Sequence, residues 1–312
     1  MRELGIILIA LVMFFAGLIL LVKGADFLID GAESLAVRAG VSPTTIGLTV
    51  VAFGTSLPEL LVTTEAYRLG DYAIGTGNIV GSNIVNIGLI LALGYIIMPA
   101  SGSTAESRHH LIINSILIFG AALAFALLSL RGFFDRLTGI VFLGLFSAML
   151  FWIWRSGEGP DLLSETHARH PLVMTGAGLV MVFLGAHLLL TGAVEIAEIL
   201  AIPQAVIGLS LVAVGTALPE LATTLVAIGK KSTGVAVGNI LGSNILNILF
   251  ILGINSLFFT IPAADPRDTL VMLGFTLAIF PLFIRNNRVR QVWGCLLLGA
   301  YLVYILLLYG IV

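Results

Sequence analysis

The sequence contains little charge and almost no cysteine. Only 10% of its 312 residues are charged and 59% are hydrophobic, whereas about 25% of the residues of an average soluble protein are charged. This composition excludes an ordinary soluble domain and indicates a protein of the lipid bilayer. The one cysteine, Cys295, cannot form an internal disulfide. The net charge of −2 says nothing about partners in a chain this apolar. We infer no nucleic-acid partner and no obligate protein partner, and we take a monomer as the working expectation.

Apolar stretches long enough to cross a membrane fill most of the chain. A spanning helix needs roughly 20 apolar residues, and the sequence holds about ten such stretches. The predicted fold is therefore an all-α polytopic membrane protein. Its predicted spans are 4–36, 43–67, 72–97, 110–130, 134–154, 171–199, 204–229, 233–259, 269–285 and 290–311.

The basic residues are unevenly distributed over the connections between these spans. If the N-terminus lies outside, the cytoplasmic connections hold nine of the 15 Lys and Arg residues and the outer connections hold five. Because cytoplasmic loops of membrane proteins are enriched in Lys and Arg, we expect both termini outside the cell membrane.

A repeat relates the two parts of the chain. Residues 46–63 align without a gap to 207–224, 161 positions later, with twelve of eighteen residues identical. Residues 77–87 align in the same way to 238–248, with nine of eleven identical. A duplicated membrane protein is typical of secondary transporters.

The duplication predicts two repeats of five spans each, residues 1–155 and 171–312, joined by a cytoplasmic linker at 156–170. An odd number of spans makes the second repeat enter the membrane from the opposite side. We therefore predict an inverted-topology pair, whose ion sites commonly lie at the repeat interface near the middle of the bilayer.

The aligned stretches place a proline and a glutamate in mid-membrane. Pro58 has no N–H for the carbonyl of Gly54, so the helix must kink or break there. Glu59 follows it directly, and Glu220 occupies the same place in the second repeat. A carboxylate inside a membrane is costly and marks a functional site by default. None of the four spans that hold these motifs contains Lys, Arg or His, so a mobile cation or a proton must balance the two acids.

Small polar residues accompany the two glutamates at helical spacing. Taken singly, such residues are more often contacts between helices than ligands. Together with two carboxylates and the carbonyls freed by the breaks, they supply the hard oxygens that Ca²⁺ prefers, and their hydroxyls and amides also suit Na⁺. We therefore hypothesise that Ca²⁺ and Na⁺ compete for one pair of glutamates. The polar residues are Thr55, Ser56, Ser82, Asn86, Thr216, Ser243 and Asn247.

At these residues the sequence resembles the sodium/calcium exchangers of the calcium/cation antiporter superfamily, of prokaryotic type. The motifs that carry the resemblance are GTSLPEL at 54–60, GNIVGSNIVN at 77–86, GTALPEL at 215–221 and GNILGSNILN at 238–247. The resemblance implies an electrogenic antiporter that works by alternating access, with the first and sixth helices sliding against the rest. Its substrates would be Na⁺ and Ca²⁺, and no cofactor is implied.

The resemblance also implies individual ligands. Glu59 and Glu220 would hold Ca²⁺ together with the carbonyls of Thr55 and Thr216. Asn86 and Asn247 would line the centre. The residues implied for Na⁺ are Ala52 through its carbonyl, Thr55, Ser56 and Ser82 on one side, and Ala213 through its carbonyl, Thr216 and Ser243 on the other.

Two positions depart from the family pattern. Ala217 stands where the first repeat has Ser56, so one hydroxyl for Na⁺ is missing in the second repeat. Position 247 is Asn, where potassium-dependent relatives carry Asp, which argues against potassium cotransport. Nearer the N-terminus, Asp26, Asp30 and Glu33 are interpreted as a solvated face, with Lys23 close enough to pair with Asp26.

Three other functions are weighed. A proton/calcium antiporter is the nearest alternative, but its relatives carry an acid in a GNxxE pattern that GNIVG and GNILG lack. A cation channel is less favoured, since a channel has less need of an inverted repeat. An enzyme is not expected, because the sequence has no HExxH motif and its five histidines form no cluster with a nucleophile.

Overall fold

The computed structural model describes residues 2–97, 108–156, 168–200, 215–279 and 287–308. These residues are almost all helical, which confirms the predicted all-α class. Two short strands, β1 (Phe133–Phe134) and β2 (Ile261–Pro262), pair antiparallel. The helices are α1 (Arg2–Ala39), α2 (Pro43–Thr55), α3 (Leu57–Leu69), α4 (Tyr72–Ile97), α5 (Arg108–Ser129), α6 (Arg136–Ser156), α7 (Pro171–Ile199), α8 (Leu218–Gly229), α9 (Thr233–Ser256), α10 (Pro266–Leu277) and α11 (Asn287–Leu308).

Most of these helices are suited to a bilayer. Seven are long and apolar enough to span a membrane, and the bent pair α2–α3 makes up to eight. The chain is thus a multi-pass membrane protein. The count of ten stays a prediction, because the predicted spans 204–229 and 269–285 lie partly on 201–214 and 280–286, outside the described residues. Most of the predicted linker lies outside them too.

The most extensive helix contact in the described fold joins α1 and α7. Both helices carry glycine at every seventh position of their contact, and the two sets are related by the same shift of 161 residues. Small residues let membrane helices approach closely enough for their backbones to touch. This contact is called the glycine seam below. Its glycines are Gly17, Gly24 and Gly31 on α1 and Gly178, Gly185 and Gly192 on α7.

The glycine seam leaves no room for side chains. A Cβ added at Gly24 would lie 2.6 Å from the backbone nitrogen of Val182, and one added at Gly185 would lie 2.4 Å from that of Leu21. Gly17 on α1 lies against Gly185 on α7, and Gly24 lies against Val182. The contact therefore moves towards the N-terminus of α7 as α1 runs towards its own C-terminus. The equivalent first helices of the two repeats therefore run antiparallel.

The helices that carry the repeated motifs form the centre of the protein. α9 is buried almost along its whole length and packs against α2. Glycines make this contact close, because a Cβ at Gly238 would lie 2.4 Å from the carbonyl oxygen of Thr44, and one at Gly242 would lie 2.4 Å from that of Leu48. The motif glycines Gly238 and Gly242 of the second repeat thus serve close helix packing.

Both proline motifs lie just after an interruption of the helix. α2 and α3 meet at a 45° bend, with Ser56 between them at φ −85° and ψ 7°. Ala217 has nearly the same conformation before α8, at φ −85° and ψ 0°. Pro58 and Pro219 occupy the first turns of α3 and α8, where the missing N–H leaves no hydrogen bond unmade. The structure thus has the break that Pro58 predicts.

Three of the described helices contain a wider π-helical turn beside the motifs. These turns are Gly47–Val51 in α2, Asn86–Leu91 in α4 and Leu246–Ile251 in α9. A π-helical turn holds more residues than an α-helical one and often occurs at functional sites. Side chains on its two sides therefore do not follow the regular helical spacing on which the sequence interpretation depends.

A charged contact ties α1 to the end of α8. The ammonium group of Lys230 lies 2.7 Å from Asp26 and 2.5 Å from Asp30. Partial burial opposes the charge of Lys230, but the hydrogen bonds that its ammonium group donates to the two aspartates, together with their negative charge, outweigh this effect and raise the pKa of Lys230. The predicted pairing of Asp26 with Lys23 is therefore wrong, since Asp26 binds a lysine that is 204 residues away in sequence.

Candidate ion-binding site

The two motif glutamates lie in the protein interior, close to each other. Glu59 is in the first turn of α3 and Glu220 in the first turn of α8, and they are 2% and 1% exposed. Their carboxyl groups are near enough to interact electrostatically. Neither forms an ion pair with any basic side chain in the described part of the chain. Two buried acids thus lie within electrostatic range of each other without a basic partner in the described structure.

Hydroxyl groups from both repeats surround one of these acids. The Oγ of Ser56 lies 3.1 Å from Oε1 of Glu220, and the Oγ of Ser243 lies 3.3 Å from the same atom. The two hydroxyls are 3.0 Å apart. A first-repeat serine therefore contributes to the surroundings of the second-repeat glutamate, and the site is shared between the repeats.

Glu59 has no such hydroxyl partner among the described residues. Ala217 is fully buried at the position equivalent to Ser56, and its methyl group cannot donate a hydrogen bond. Oε2 of Glu59 is buried without a hydrogen-bond partner among the described residues, as is Oε2 of Glu220. Among the described residues, the two carboxyl groups therefore differ in their hydroxyl partners.

The asparagines of the site differ in their hydrogen bonds. Nδ2 of Asn86 donates to Oδ1 of Asn244 at 2.9 Å. Asn247 is buried, and neither of its amide atoms has a hydrogen-bond partner within the described ranges. The family resemblance implies that Asn86 and Asn247 line the centre but names no partner for either, and Asn244 is not among the predicted residues. Asn86 and Asn247 both lie in π-helical turns, so regular helical spacing could not identify their neighbours.

The remaining predicted residues are placed as follows. Thr55 is buried and its hydroxyl donates to Oδ1 of Asn239 at 3.0 Å and lies 3.3 Å from the carbonyl oxygen of Ala52. Ser82 is buried on α4, one helical turn before Asn86. Thr216 is half-buried beside the interruption at Ala217. Ala213 lies outside the described residues.

Unpaired buried polar atoms concentrate at this site. Buried polar atoms of native proteins nearly always have a hydrogen-bond partner, and an exception commonly marks an ion or water. Of the eleven buried side-chain atoms without a partner in the described structure, six belong to the motif residues. A cation would satisfy the four oxygens among these six atoms. The residues are Glu59, Asn86, Glu220, Asn244 and Asn247.

The donor set is composed of hard oxygens. The described residues contain no cluster of three or more His, Cys, Asp or Glu side chains that could hold a metal ion. Any metal ion held here would therefore be completed by neutral hydroxyl, amide and carbonyl oxygens around the two carboxyls. Such a set suits Ca²⁺ or Na⁺ and does not suit transition metals, which favour nitrogen and sulfur ligands.

A cavity reaches the motif region from one side. It has a volume of about 370 Å³ and lies between the first turns of α4 and the segment that joins β2 to α10. Thr76 and Gly77 line its α4 side, and Asp265 and Asp268 line the opposite wall. Acidic groups at such a mouth raise the local concentration of cations.

Comparisons with known proteins identify the family of the chain. The family profile described as "Sodium/calcium exchanger protein" matches residues 9–155 and 170–310. The chain belongs to the sodium/calcium exchanger family. This membership confirms the family that the four motifs predict, and the family is one of transporters.

Full-length relatives of this exchanger support the assignment. It is 35% identical to "Putative antiporter CaxA" of Alkalimonas amylolytica, over 97% of the chain and 99% of that protein. It is 29% identical to "Sodium/calcium exchanger MaX1" of Methanosarcina acetivorans, over 95% of the chain and 97% of that protein. The solved structure titled "Structure of Sodium/Calcium Exchanger from Methanococcus jannaschii" covers 96% of the chain with a TM-score of 0.82 and 34% identity.

Proposed function

We propose that this protein is a secondary antiporter that exchanges Na⁺ for Ca²⁺ across the cell membrane. The observation that carries the proposal is the pair of buried carboxyl groups, Glu59 and Glu220, which approach each other with no basic partner in the described structure. Buried like charges are strongly unfavourable unless cations neutralise them. One Ca²⁺ balances both carboxylates, and Na⁺ ions can replace it.

The ligands follow from the same arrangement. Ca²⁺ binds 6–8 oxygens in flexible geometry. Glu59 and Glu220 would supply the carboxylates, and the interruptions at Ser56 and Ala217 would supply carbonyls from Thr55 and Thr216. Na⁺ would use some of the same groups, which makes the two ions mutually exclusive. The further ligands that we propose for Na⁺ and for the centre of the site are Ala52, Ser56, Ser82, Asn86, Ala213, Ser243 and Asn247.

Alternating access would let one site serve both sides of the membrane. We take residues 1–155 and 171–312 as inverted repeats, and the antiparallel run of α1 and α7 supports this. The glycine seam binds these two helices into one unit that can move against the central helices. With nine of the 15 basic residues on the cytoplasmic side, both termini would lie outside. The exchanger would act as a monomer without a cofactor.

The function can be tested by radiolabelled calcium uptake into proteoliposomes. Vesicles loaded with Na⁺ should take up Ca²⁺, and vesicles loaded with K⁺ should not, since only Na⁺ competes for the carboxyl pair. A proton uncoupler should leave the uptake unchanged. Uptake that needs only a pH gradient would identify a proton antiporter, and Ca²⁺ flux that is independent of the opposing Na⁺ would identify a channel.

Restoring the missing hydroxyl should change the sodium dependence. In Ala217→Ser the new hydroxyl would stand towards Glu59 as Ser56 stands towards Glu220, so we expect the half-saturating Na⁺ concentration to fall by roughly 3-fold. The measurement is Ca²⁺ transport as a function of Na⁺. Ala222→Ser changes a half-buried alanine of the same helix and should have no effect. An unchanged sodium curve in Ala217→Ser would remove position 217 from the site.

A further inference from the structure

A buried asparagine connects the ion-binding segments of the two repeats. Asn239 is 1% exposed, and its Nδ2 donates to the hydroxyl of Thr223 at 3.0 Å and lies 3.5 Å from the carbonyl oxygen of Glu220. Its Oδ1 accepts from the hydroxyl of Thr55 at 3.0 Å. One amide group thus holds the first turn of α8 and, at the same time, the last residue of α2.

The equivalent asparagine of the first repeat makes only half of these contacts. Asn78 stands 161 positions before Asn239. Its Nδ2 donates to the hydroxyl of Thr63 at 2.9 Å and to the carbonyl oxygen of Glu59 at 3.3 Å. Its Oδ1 has no hydrogen-bond partner among the described residues. By the repeat, its expected partner is the hydroxyl of Thr216, which also has no hydrogen-bond partner among the described residues.

The packing around the two asparagines has the same asymmetry. Gly238, before Asn239, is buried, and a Cβ there would collide with the carbonyl oxygen of Thr44. Gly77, before Asn78, is exposed and would meet nothing within 4 Å. The cavity of about 370 Å³ lies against Gly77. Among the described residues, the surroundings of Asn78 are therefore open and those of Asn239 are closely packed.

In an inverted-repeat transporter, the two repeats exchange conformations when access passes from one side to the other. We propose that Asn239 and Asn78 are positioning residues that form their inter-repeat hydrogen bonds in turn. In the present state Asn239 binds Thr55. In the opposite access state that bond breaks and Asn78 binds Thr216. This inference rests on the proposed antiport, for which it names a further pair of residues.

The exchange of hydrogen bonds has a specific consequence for substitutions. Asn239→Ala removes a bond that exists only in the present state, so it should shift the population towards the opposite state. Asn78→Ala should do the reverse. Loss of one hydrogen bond should change the ratio of the two states by roughly 3- to 10-fold. A residue with a purely structural role would not produce opposite shifts at two equivalent positions.

The test measures the accessibility of engineered cysteines in purified protein without Na⁺ or Ca²⁺. Cys295→Ser removes the native thiol. Ala73→Cys reports the open side, since Ala73 lines the cavity, and Thr233→Cys reports the closed side, where Thr233 is buried. The rate of modification by a water-soluble maleimide is then compared with and without each asparagine substitution.

We expect Asn239→Ala to slow modification at Ala73→Cys and to speed it at Thr233→Cys by roughly 3- to 10-fold. Asn78→Ala should change both rates in the opposite directions. If both reporter cysteines of a substituted protein are modified faster, the structure has loosened locally, and the proposal is wrong. Unchanged rates at both reporters would also overturn it.

A second pair of substitutions covers an asparagine variant that does not fold. Thr55→Val and Thr216→Val each remove one hydroxyl and keep the backbone carbonyl. They should reproduce the shifts of Asn239→Ala and Asn78→Ala, and combining Thr55→Val with Asn239→Ala should add little to either alone. Because these rates are measured without ions, they are independent of calcium uptake. Normal sodium-driven uptake with unaltered rates would reject this inference and leave the antiport intact.

Discussion

Glu59→Gln and Glu220→Gln should each abolish sodium-driven calcium uptake, lowering its rate by roughly 100-fold or more. Glutamine keeps the shape of the side chain but removes one of the two negative charges that a bound Ca²⁺ needs. The measurement is radiolabelled calcium uptake into vesicles loaded with Na⁺. Glu65→Gln is the matched control, because Glu65 lies on the same helix but is exposed and paired with Arg68.

A second readout separates loss of ion binding from loss of folding. Binding of Ca²⁺ to the folded protein should raise the melting temperature of the unsubstituted protein, since a ligand of the folded state stabilises it. The glutamine variants should lose this calcium-dependent rise. Without ions they should melt no lower than the unsubstituted protein, because the repulsion between two buried carboxylates is relieved. Full uptake by either variant would refute the site.

Gly185→Ala should destabilise the protein and Gly176→Ala should not, although both glycines lie on α7. A Cβ at Gly185 would lie 2.4 Å from the backbone of Leu21, whereas a Cβ at Gly176 would meet nothing within 4 Å. Overpacking costs about 1–3 kcal/mol, so we expect Gly185→Ala to lower the melting temperature by roughly 5 °C or more. Gly176→Ala gains helix propensity and should leave it unchanged or raise it.

The glycine seam also makes a prediction for transport. Separating α1 from α7 would break the unit that has to move, so Gly185→Ala should lose most of its calcium uptake in proteoliposomes. Gly176→Ala should retain it. If both substitutions had the same effect on melting and on uptake, the contact between the two helices would not be what makes position 185 sensitive.

Much of the site could be predicted because its chemistry is costly. A carboxylate beside a proline in an apolar stretch has few explanations, and the structure buries both Glu59 and Glu220 where the sequence predicts. Some helix ends could also be predicted, since α7 begins and ends at the predicted residues 171 and 199 and α4 begins at the predicted residue 72. Polar residues and glycines punctuate the apolar stretches there.

Contacts that depend on irregular turns or on distant residues could not be predicted. The pairing of Asn86 with Asn244 depends on a π-helical turn, which no spacing rule for α-helices includes. The partner of Asp26 is Lys230, and nothing local to either residue indicates the other. Asn78 and Asn239 stand in the quoted motifs, but their neighbours in sequence gave no reason to expect them to differ.

The glycine seam is different, because its signal was present in the sequence. The glycines recur every seven residues on α1 and α7 and obey the same shift of 161 as the motifs. A count of apolar residues gives glycine no weight, whereas an alignment of the two repeats over their full length brings these glycines into register.

The contact of Lys230 with Asp26 and Asp30 has no counterpart in the other repeat. The equivalent residues are Leu69 for the lysine, and His187 and Thr191 for the two aspartates. Leu69 cannot form such a contact. The contact of Lys230 with the two aspartates therefore distinguishes the two membrane faces of the protein, which the duplication otherwise makes alike. Dissolved salt screens partly exposed charges. We therefore expect ionic strength to change the balance between the two access states of the ion-free protein through the contact at this face, and not through the equivalent face.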